Sequence, residues 1–162
     1  MSDSGAHPRV EVCDEFTVVG TESPYDQRGR ERPDDRADRG TLAAILWERA
    51  RGSNPQSHGR SCPLRRIHRL RERPSRGLLH LIACEVSNGG NVPPAMTTLT
   101  IPLEKYLVFT GKGELPGVVI QTWGAVWQYF EDQTRDKRAY TVDFERFDQR
   151  EPSCLEIYIA VR

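Results

Sequence analysis

Apolar and polar residues alternate most regularly in the C-terminal half of the chain. Residues 140–148 (YTVDFERFD) and 155–161 (LEIYIAV) follow a period of two, which predicts two β-strands. Residues 97–113 predict another extended segment, interrupted at Pro102 because proline cannot donate to a sheet ladder. Residues 114–133 predict an amphipathic helix, because its apolar residues recur every three or four positions. The predicted apolar face of this helix consists of Val119, Ile120, Trp123, Val126, Trp127 and Phe130.

The N-terminal half shows the same kinds of element, with one gap. Residues 10–20 (VEVCDEFTVVG) predict a strand, and residues 78–86 (LLHLIACEV) predict a second one. Between them, residues 41–50 (TLAAILWERA) predict a helix that Thr41 caps. Residues 52–77 are rich in Arg, Gly, Pro and Ser and predict no regular element.

The two halves therefore share an order of elements, except that the first half lacks its second strand. An internal repeat is the simplest architecture with this order. The predicted fold class is α+β, with two pseudo-symmetric β-α-β-β modules that form an antiparallel sheet with two helices. The predicted organisation is a disordered N-terminus, residues 1–9, followed by a single domain, residues 10–162. The two halves of that domain are residues 10–90 and 97–162.

Composition argues against a nucleic-acid-binding protein. The 23 Lys and Arg residues are balanced by 23 Asp and Glu residues, so the formal net charge is zero, whereas nucleic-acid-binding domains are usually basic. The run from Arg60 to Arg76 places arginines all round a helical wheel and contains no aromatic residue for base stacking. Nucleic acid is therefore not a predicted partner of this chain alone. Non-specific phosphate contact is the alternative interpretation of the run.

Cysteine spacing and hydropathy predict no metal, cofactor or membrane attachment. The four cysteines (Cys13, Cys62, Cys84 and Cys154) are far apart, and a zinc site needs closely spaced ligands. We therefore expect free thiols in a cytoplasmic protein. No apolar run approaches the ~20 residues that span a bilayer, and the N-terminus lacks the pattern of a signal peptide. The sequence leaves the oligomeric state open.

Several segments taken together resemble the effector-binding domain of bacterial AraC-type transcription activators, also called the GyrI-like family. They are LWER (46–49), ACEV (83–86), IP (101–102), YLVF (106–109), DFERF (143–147) and EIYIAV (156–161), together with Trp123 and Trp127. The resemblance implies two modules around a ligand groove, and a buried acid among aromatic residues that attracts cationic, amphipathic ligands, as in multidrug binding. Because the leading strand starts near Val10, we expect a stand-alone effector-binding domain or a fragment of a regulator.

Three acids are candidates for the ligand-contacting carboxylate that the resemblance implies. Glu85 lies in the apolar strand LIACEV, so its burial would require protonation or a cationic partner. Glu145 shares a strand face with Phe147. Glu156 shares a face with Tyr158, opposite the apolar face of LEIYIAV that should pack the helices. Ordinary surface pairing is the alternative interpretation of each acid.

Aromatic residues are the second part of the expected site. A delocalised organic cation loses little hydration on burial and gains about 0.5–2 kcal/mol from each aromatic face. Core packing is the alternative for each candidate, and it is the usual role of tryptophans one helical turn apart. The aromatic candidates are Trp47, Tyr106, Phe109, Trp123, Trp127 and Tyr158.

These features predict a domain that binds a small, cationic, amphipathic molecule. No catalytic set is recognisable, so binding is expected rather than catalysis. One alternative is a small-molecule hydrolase that uses a groove glutamate as a general base. Another is a decayed, inactive family member, because the first half lacks a strand and an arginine-rich segment is not expected to bury in its place.

The segments that depart from the family pattern predict compensating frameshifts in the coding DNA, at about residues 22–45 and 52–77. The family has Y-G-V-Y-x-D-Y-E-S-D after its first helix, where the chain has Leu64–Pro74. One choice of codons for Leu64–Pro74 reads YGVYTDYESD when one nucleotide is skipped. The same slip turns Pro24–Glu31 into RTTNADE, where the family has R-T-T-N-x-x-E. The coding DNA checks this, because codons that do not give both words in the shifted frame contradict the hypothesis.

Overall fold

The structure of the chain is a computed structural model. The predicted helix at residues 41–50 and residues 1–6 of the predicted disordered N-terminus lie outside its described part. No helix within that part is long and apolar enough to cross a membrane. The described residues are 7–22, 64–70, 78–86, 92, 96–132, 136–147, 151 and 153–162.

The described strands form one antiparallel sheet. Their order across the sheet is β1-β6-β8-β7-β3-β4-β2-β5, and every neighbouring pair is antiparallel. One helix follows β6, so the fold is α+β and dominated by its sheet. The elements are β1 (Arg9–Cys13), β2 (Phe16–Glu22), β3 (Leu64–Leu70), β4 (Leu78–Val86), β5 (Thr97–Ile101), β6 (Glu104–Lys112), α1 (Gly117–Asp132), β7 (Val142–Phe147) and β8 (Cys154–Ala160).

The predicted strand at residues 10–20 is two strands instead of one. The break falls at Asp14 and Glu15, between β1 and β2. β1 pairs with β6 at one edge of the sheet, whereas β2 pairs with β4 and β5 near the other edge. The chain must leave one ladder before it joins the other, and a hydrophobic period does not reveal which partners a strand will have.

The prediction that the first half lacks a strand is wrong. Leu64–Leu70 forms β3, which pairs with β4 on one side and with β7 on the other. Sheet ladders are made by backbone N–H and C=O groups, which every residue in this segment carries. Ile67 lies opposite both Phe144 and Leu81 and is completely buried. The frameshift hypothesis for this segment stays a prediction.

Helix α1 packs on one face of the sheet, which we call the helix face. Alternate residues of β6 and β8 form a core with α1 here, and the predicted role of the apolar face of LEIYIAV is confirmed. The predicted apolar face of the helix is only partly right. Val118, Thr122 and Val126 are buried against the sheet, while Ile120 is 68% exposed and Trp127 is 59% exposed.

The opposite face of the sheet, which we call the concave face, carries the second core. Phe16 on β2 and Phe144 on β7 are separated by β4 and β3, which corresponds to about 14 Å in a flat sheet. Their ring centroids are nevertheless 5.7 Å apart. The sheet must therefore curve strongly, and this curvature buries apolar side chains from both halves of the chain in one cluster.

The helix approaches β6 closely at Gly111. A Cβ atom built on Gly111 would lie 2.0 Å from Thr122 Oγ1 and 2.9 Å from Val118 Cγ2. Thr122 Oγ1 donates a hydrogen bond to the Val118 carbonyl at 2.6 Å, which holds this hydroxyl above Gly111. Only glycine permits this spacing without moving the helix.

We expect Gly111→Ala to destabilise the protein by about 1–3 kcal/mol, because the added methyl group overpacks the contact between α1 and β6. Urea unfolding followed by Trp fluorescence measures this change. Gly124→Ala is the matched control, since a Cβ at Gly124 meets no atom within 4 Å. This second change should stabilise the helix by about 0.5–1 kcal/mol. Equal effects from both changes would contradict the close approach at Gly111.

Candidate ligand-binding site

The structure does not bring the three predicted acids together. Glu145 lies on the helix face of β7 and is 1% exposed. Glu156 lies on the concave face, because it is paired with Arg146 on the side of β7 that also carries Phe144. Glu85 pairs with Val18 and also belongs to the concave face, where it is exposed. The expectation that Glu85 is a buried acid is therefore wrong, because it lies near the end of β4, beyond the buried part of the strand.

Glu145 is joined to the helix by a hydrogen bond. The indole Nε1 of Trp123 donates to Glu145 Oε1 at 2.9 Å. Successive residues of a strand point to opposite faces of the sheet. Because Phe144 points to the concave core, its neighbour Glu145 points toward α1. The indole is a neutral donor, so it stabilises the carboxylate oxygen without cancelling a negative charge.

An exposed apolar flank of α1 lies beside this acid. Ile120, Trp123 and Trp127 follow one another at three and four residues and therefore share one side of the helix. The rings of Trp123 and Trp127 have centroids 6.2 Å apart and are tilted by 34°. Trp123 is half-buried, while Ile120 and Trp127 are mostly exposed. We call Glu145 and these three residues the Glu145 site.

The remaining aromatic candidates lie in the two cores. Phe109 is 4% exposed under α1, with its ring centroid 5.5 Å from that of Tyr129. Tyr106 and Tyr158 are almost completely buried on the concave face. The Tyr158 ring stacks on Phe144 at 4.4 Å. Trp47 lies outside the described residues. The structure thus places Glu145, Trp123 and Trp127 together and separates them from the other described candidates.

Glu156 belongs to an ion-pair network on the concave face. Its carboxylate lies 2.8 Å from Arg9 Nη2 and 3.7 Å from Arg146 Nη1, and it accepts a hydrogen bond from the Tyr158 hydroxyl at 3.1 Å. Burial raises the pKa of the Tyr158 phenol, although the hydrogen bond from Arg146 opposes that shift. Burial lowers the pKa of Arg9, but hydrogen bonding and attraction to Glu156 outweigh this and raise it overall. This network corresponds to the surface-pairing alternative.

A second buried acid near the Glu145 site was missed by the sequence reasoning. Asp143 is 7% exposed and lies on the same strand face as Glu145, two residues away. It forms a salt bridge with Arg138 and also accepts a hydrogen bond from the Ala160 amide at 2.9 Å. The alternation in DFERF was the available signal, because it puts both acids on one face.

The described residues contain no group of three or more His, Cys, Asp or Glu side chains that could hold a metal ion. The chemistry that the described site offers is therefore that of a carboxylate, an indole N–H and exposed aromatic surface.

The described part of the chain is a curved antiparallel sheet with one helix, which holds Trp123 over the buried Glu145. The chain belongs to the integron-associated effector binding protein family (Cass2), whose sequence profile matches residues 9–161. This confirms the resemblance to effector-binding domains of transcription regulators.

Individual relatives agree with this assignment. Integron cassette protein VCH_CASS2, from the mobile metagenome of Vibrio cholerae, is 26% identical, with a TM-score of 0.63 over 97% of each chain. Transcriptional regulator BrlR of Pseudomonas aeruginosa is 27% identical over 148 residues, which are 89% of this chain and 49% of BrlR. The chain thus spans about half the length of this curated relative. SAV2435, solved with bound tetraphenylphosphonium, shares the fold at 17% identity, with a TM-score of 0.66 over 96% of this chain and 93% of SAV2435.

We expect Trp123→Phe to destabilise the protein by about 1–3 kcal/mol, because it removes the indole N–H from a buried carboxylate. Trp127→Phe is the matched control, since this ring is mostly exposed, and its effect should stay within about 0.5 kcal/mol. Urea unfolding followed by circular dichroism measures both changes. Equal stability of the two variants would show that the hydrogen bond contributes nothing.

Proposed function

We propose that the chain is a ligand-binding domain for a small, cationic, amphipathic organic molecule, and that this molecule binds at the Glu145 site. The observation that carries the proposal is a buried carboxylate directly beside an exposed aromatic flank. Large apolar side chains are rarely left exposed in a cluster unless they contact a ligand or a partner. An acid beneath such a cluster offers a negative charge to a cationic ligand.

Charge and shape both favour an organic cation over a metal ion or an anion. A buried carboxylate is costly unless hydrogen bonds or a counter-charge compensate it. An ion with its charge spread over aryl groups loses little hydration when it is buried. Contact with the Trp123 and Trp127 faces adds about 0.5–2 kcal/mol each through cation–π attraction. An anion would meet repulsion from Glu145 at the same position.

The relatives support this class of ligand. SAV2435 has this fold and was solved with tetraphenylphosphonium, an aryl-substituted monocation. VCH_CASS2 and BrlR tie the fold to integron cassettes and to transcription regulation. We therefore infer that the chain senses or sequesters its ligand in the manner of a regulator's effector-binding domain.

We further propose that the domain consists of two equivalent β-α-β-β modules around a ligand groove. The strand order supports this, because β7 and β3 lie at the centre, followed outward by β8 and β4, β6 and β2, and β1 and β5. Each position thus has a counterpart from the other half of the chain.

We expect tetraphenylphosphonium to quench the Trp fluorescence of the purified protein in a saturable titration. Glu145→Gln should weaken the affinity at least about tenfold, because it removes the charge while preserving the shape of the side chain. Isothermal titration calorimetry provides an independent measure of both affinities.

The matched control is Glu85→Gln, which changes the net charge equally but lies on the concave face. Its affinity should equal that of the wild-type protein. Triphenylphosphine oxide, which is aryl-rich but uncharged, should bind weakly to all variants. Equal binding by the Glu145→Gln variant would overturn the proposal. Incubation with a cationic aryl ester tests the hydrolase hypothesis, since a catalyst releases the free acid faster than buffer alone does.

The second alternative is a decayed, inactive protein, although β3 pairs with β4 and β7 in the sheet. It now predicts only a broad, non-cooperative unfolding curve and no saturable titration. A sharp transition accompanied by tetraphenylphosphonium binding would exclude it.

A further inference from the structure

Strand β1 lies at one edge of the sheet and carries exposed valines. Among the described residues it pairs with β6 only, at the end of the strand order. Val10 lies opposite Leu107, which belongs to the core beneath α1, so Val10 and Val12 are on the helix face. Val10 is nevertheless 65% exposed, and Val12 is 61% exposed. Exposed β-branched residues on an edge strand favour pairing with a further strand.

The backbone of β1 directs the hydrogen-bonding groups of the two valines outward. The Val161 amide donates to the Lys105 carbonyl at 3.0 Å, so Lys105 directs its backbone groups toward β8. Successive residues of a strand bond to opposite neighbours. The next residue, Tyr106, therefore bonds to its β1 partner, Glu11. Because Glu11 uses its N–H and C=O on β6, the valines on either side of it present theirs at the outer edge.

The charges of β1 are complementary to those of a second, antiparallel copy of the same strand. Arg9 and Glu11 lie on the concave face, with Arg9 Nη2 3.1 Å from Glu11 Oε2. Both side chains can be reached from outside, since that of Arg9 is 46% exposed and that of Glu11 is 37% exposed. In an antiparallel pair centred on Val10, each Arg9 lies opposite the Glu11 of the other copy. Opposite charges that face each other in this way stabilise a strand pair.

The other registers of such a pair are less favourable. A pair centred on Glu11 also lets the outward groups of the valines meet, but it places two carboxylates directly opposite each other. A pair centred on Val12 places Val10 opposite Asp14, which lies beyond the end of β1. The pair centred on Val10 places Val12 opposite Pro8, whose carbonyl accepts a hydrogen bond although its nitrogen cannot donate one. Charge therefore selects the register with Val10 at the centre.

We propose that β1 is a self-association surface, through which two copies of the chain form an antiparallel dimer with Val10 at the two-fold axis. This axis is perpendicular to the sheet, so the helix faces of both copies lie on the same side of one continuous sheet. The exposed valines of the two copies form an apolar row on that side, and Arg9 and Glu11 form a charged row on the other. Because β1 is five residues long, the interface is small and the dimer exchanges with the monomer.

Sedimentation equilibrium at about 1–100 μM measures the dissociation constant of this dimer. We expect Val10→Lys to raise the constant at least about tenfold, because two positive charges then face each other at the axis. Thr98→Lys is the matched control on the other edge strand, β5, where Thr98 is also exposed. Ile120→Lys is the control on the exposed flank of α1. Both controls should leave the constant unchanged, and circular dichroism verifies that each variant is folded.

Cross-linking tests the register without adding charge. Facing Cα atoms of a hydrogen-bonded antiparallel pair are about 5.5 Å apart, which is within reach of a disulfide. Oxidation of the Val10→Cys variant should therefore give a dimer linked through the two introduced thiols. In the Val12→Cys variant the introduced thiols are four residues out of register, about 13 Å apart, and should not link. The wild-type protein, oxidised in the same way, shows what its four native cysteines contribute, and peptide mass spectrometry identifies the linked residues.

The outcomes decide between this surface and the alternatives, and no ligand is needed. A wild-type protein that stays monomeric at about 100 μM would overturn the proposal. A dimer that Thr98→Lys or Ile120→Lys disrupts, but Val10→Lys does not, would overturn it in favour of β5 or the helix flank. Cross-linking of the Val12→Cys variant alone would overturn the assignment of Val10 to the axis. If Val10→Lys does not fold, cross-linking of Val10→Cys decides by itself.

Discussion

The burial of the Glu145 carboxylate beneath α1 sets the geometry of the helix face. A buried carboxylate needs hydrogen-bond donors close by, and Trp123 supplies one only if the helix lies at a fixed height over β7. That height depends on the close approach at Gly111, where the hydroxyl of Thr122 occupies the space that a Cβ would fill. The aromatic flank of α1 is therefore positioned by contacts made on the opposite side of the same helix.

The two faces of the sheet differ in how their apolar and acidic side chains are buried and paired. On the concave face, curvature brings residues of both halves into one apolar cluster, and Glu156 is held by Arg9 and Arg146 at the rim. On the helix face, the core is narrower and leaves Ile120 and Trp127 exposed. The period of two along each strand produces this division, because neighbouring residues contribute to different faces. Glu145 and Glu156 therefore have different partners, although both alternate with apolar neighbours. Glu145 accepts a hydrogen bond from the helix, whereas Glu156 forms ion pairs on the concave face.

The sequence predicted the elements of the second half closely, because β7, β8 and α1 carry clean periods. It predicted β4 with the observed bounds, Leu78–Val86. It did not predict β3, because any non-proline residue can make the backbone hydrogen bonds of a sheet. An arginine-rich segment can therefore form a strand without an apolar pattern that would identify it. The helical period placed Ile120 and Trp127 on the apolar face of the helix, but both side chains are mostly exposed. Six apolar residues cover more of the helix than the sheet buries, and only tertiary contacts decide which side faces the core.

Alternation in the segment DFERF places the carboxylates of Asp143 and Glu145 on the same buried face of β7. Two like charges about 7 Å apart in a poorly solvated region repel each other, so a fold that keeps both acids must compensate their charge. Arg138 does this for Asp143 from within the chain, and the cation is held by aromatic rings and a backbone bridge. The Glu145 site has the same components, a carboxylate on this face of β7 and nearby aromatic rings. The internal arginine thus shows, within the same fold, that a carboxylate on this face of β7 and nearby aromatic rings accommodate a delocalised cation.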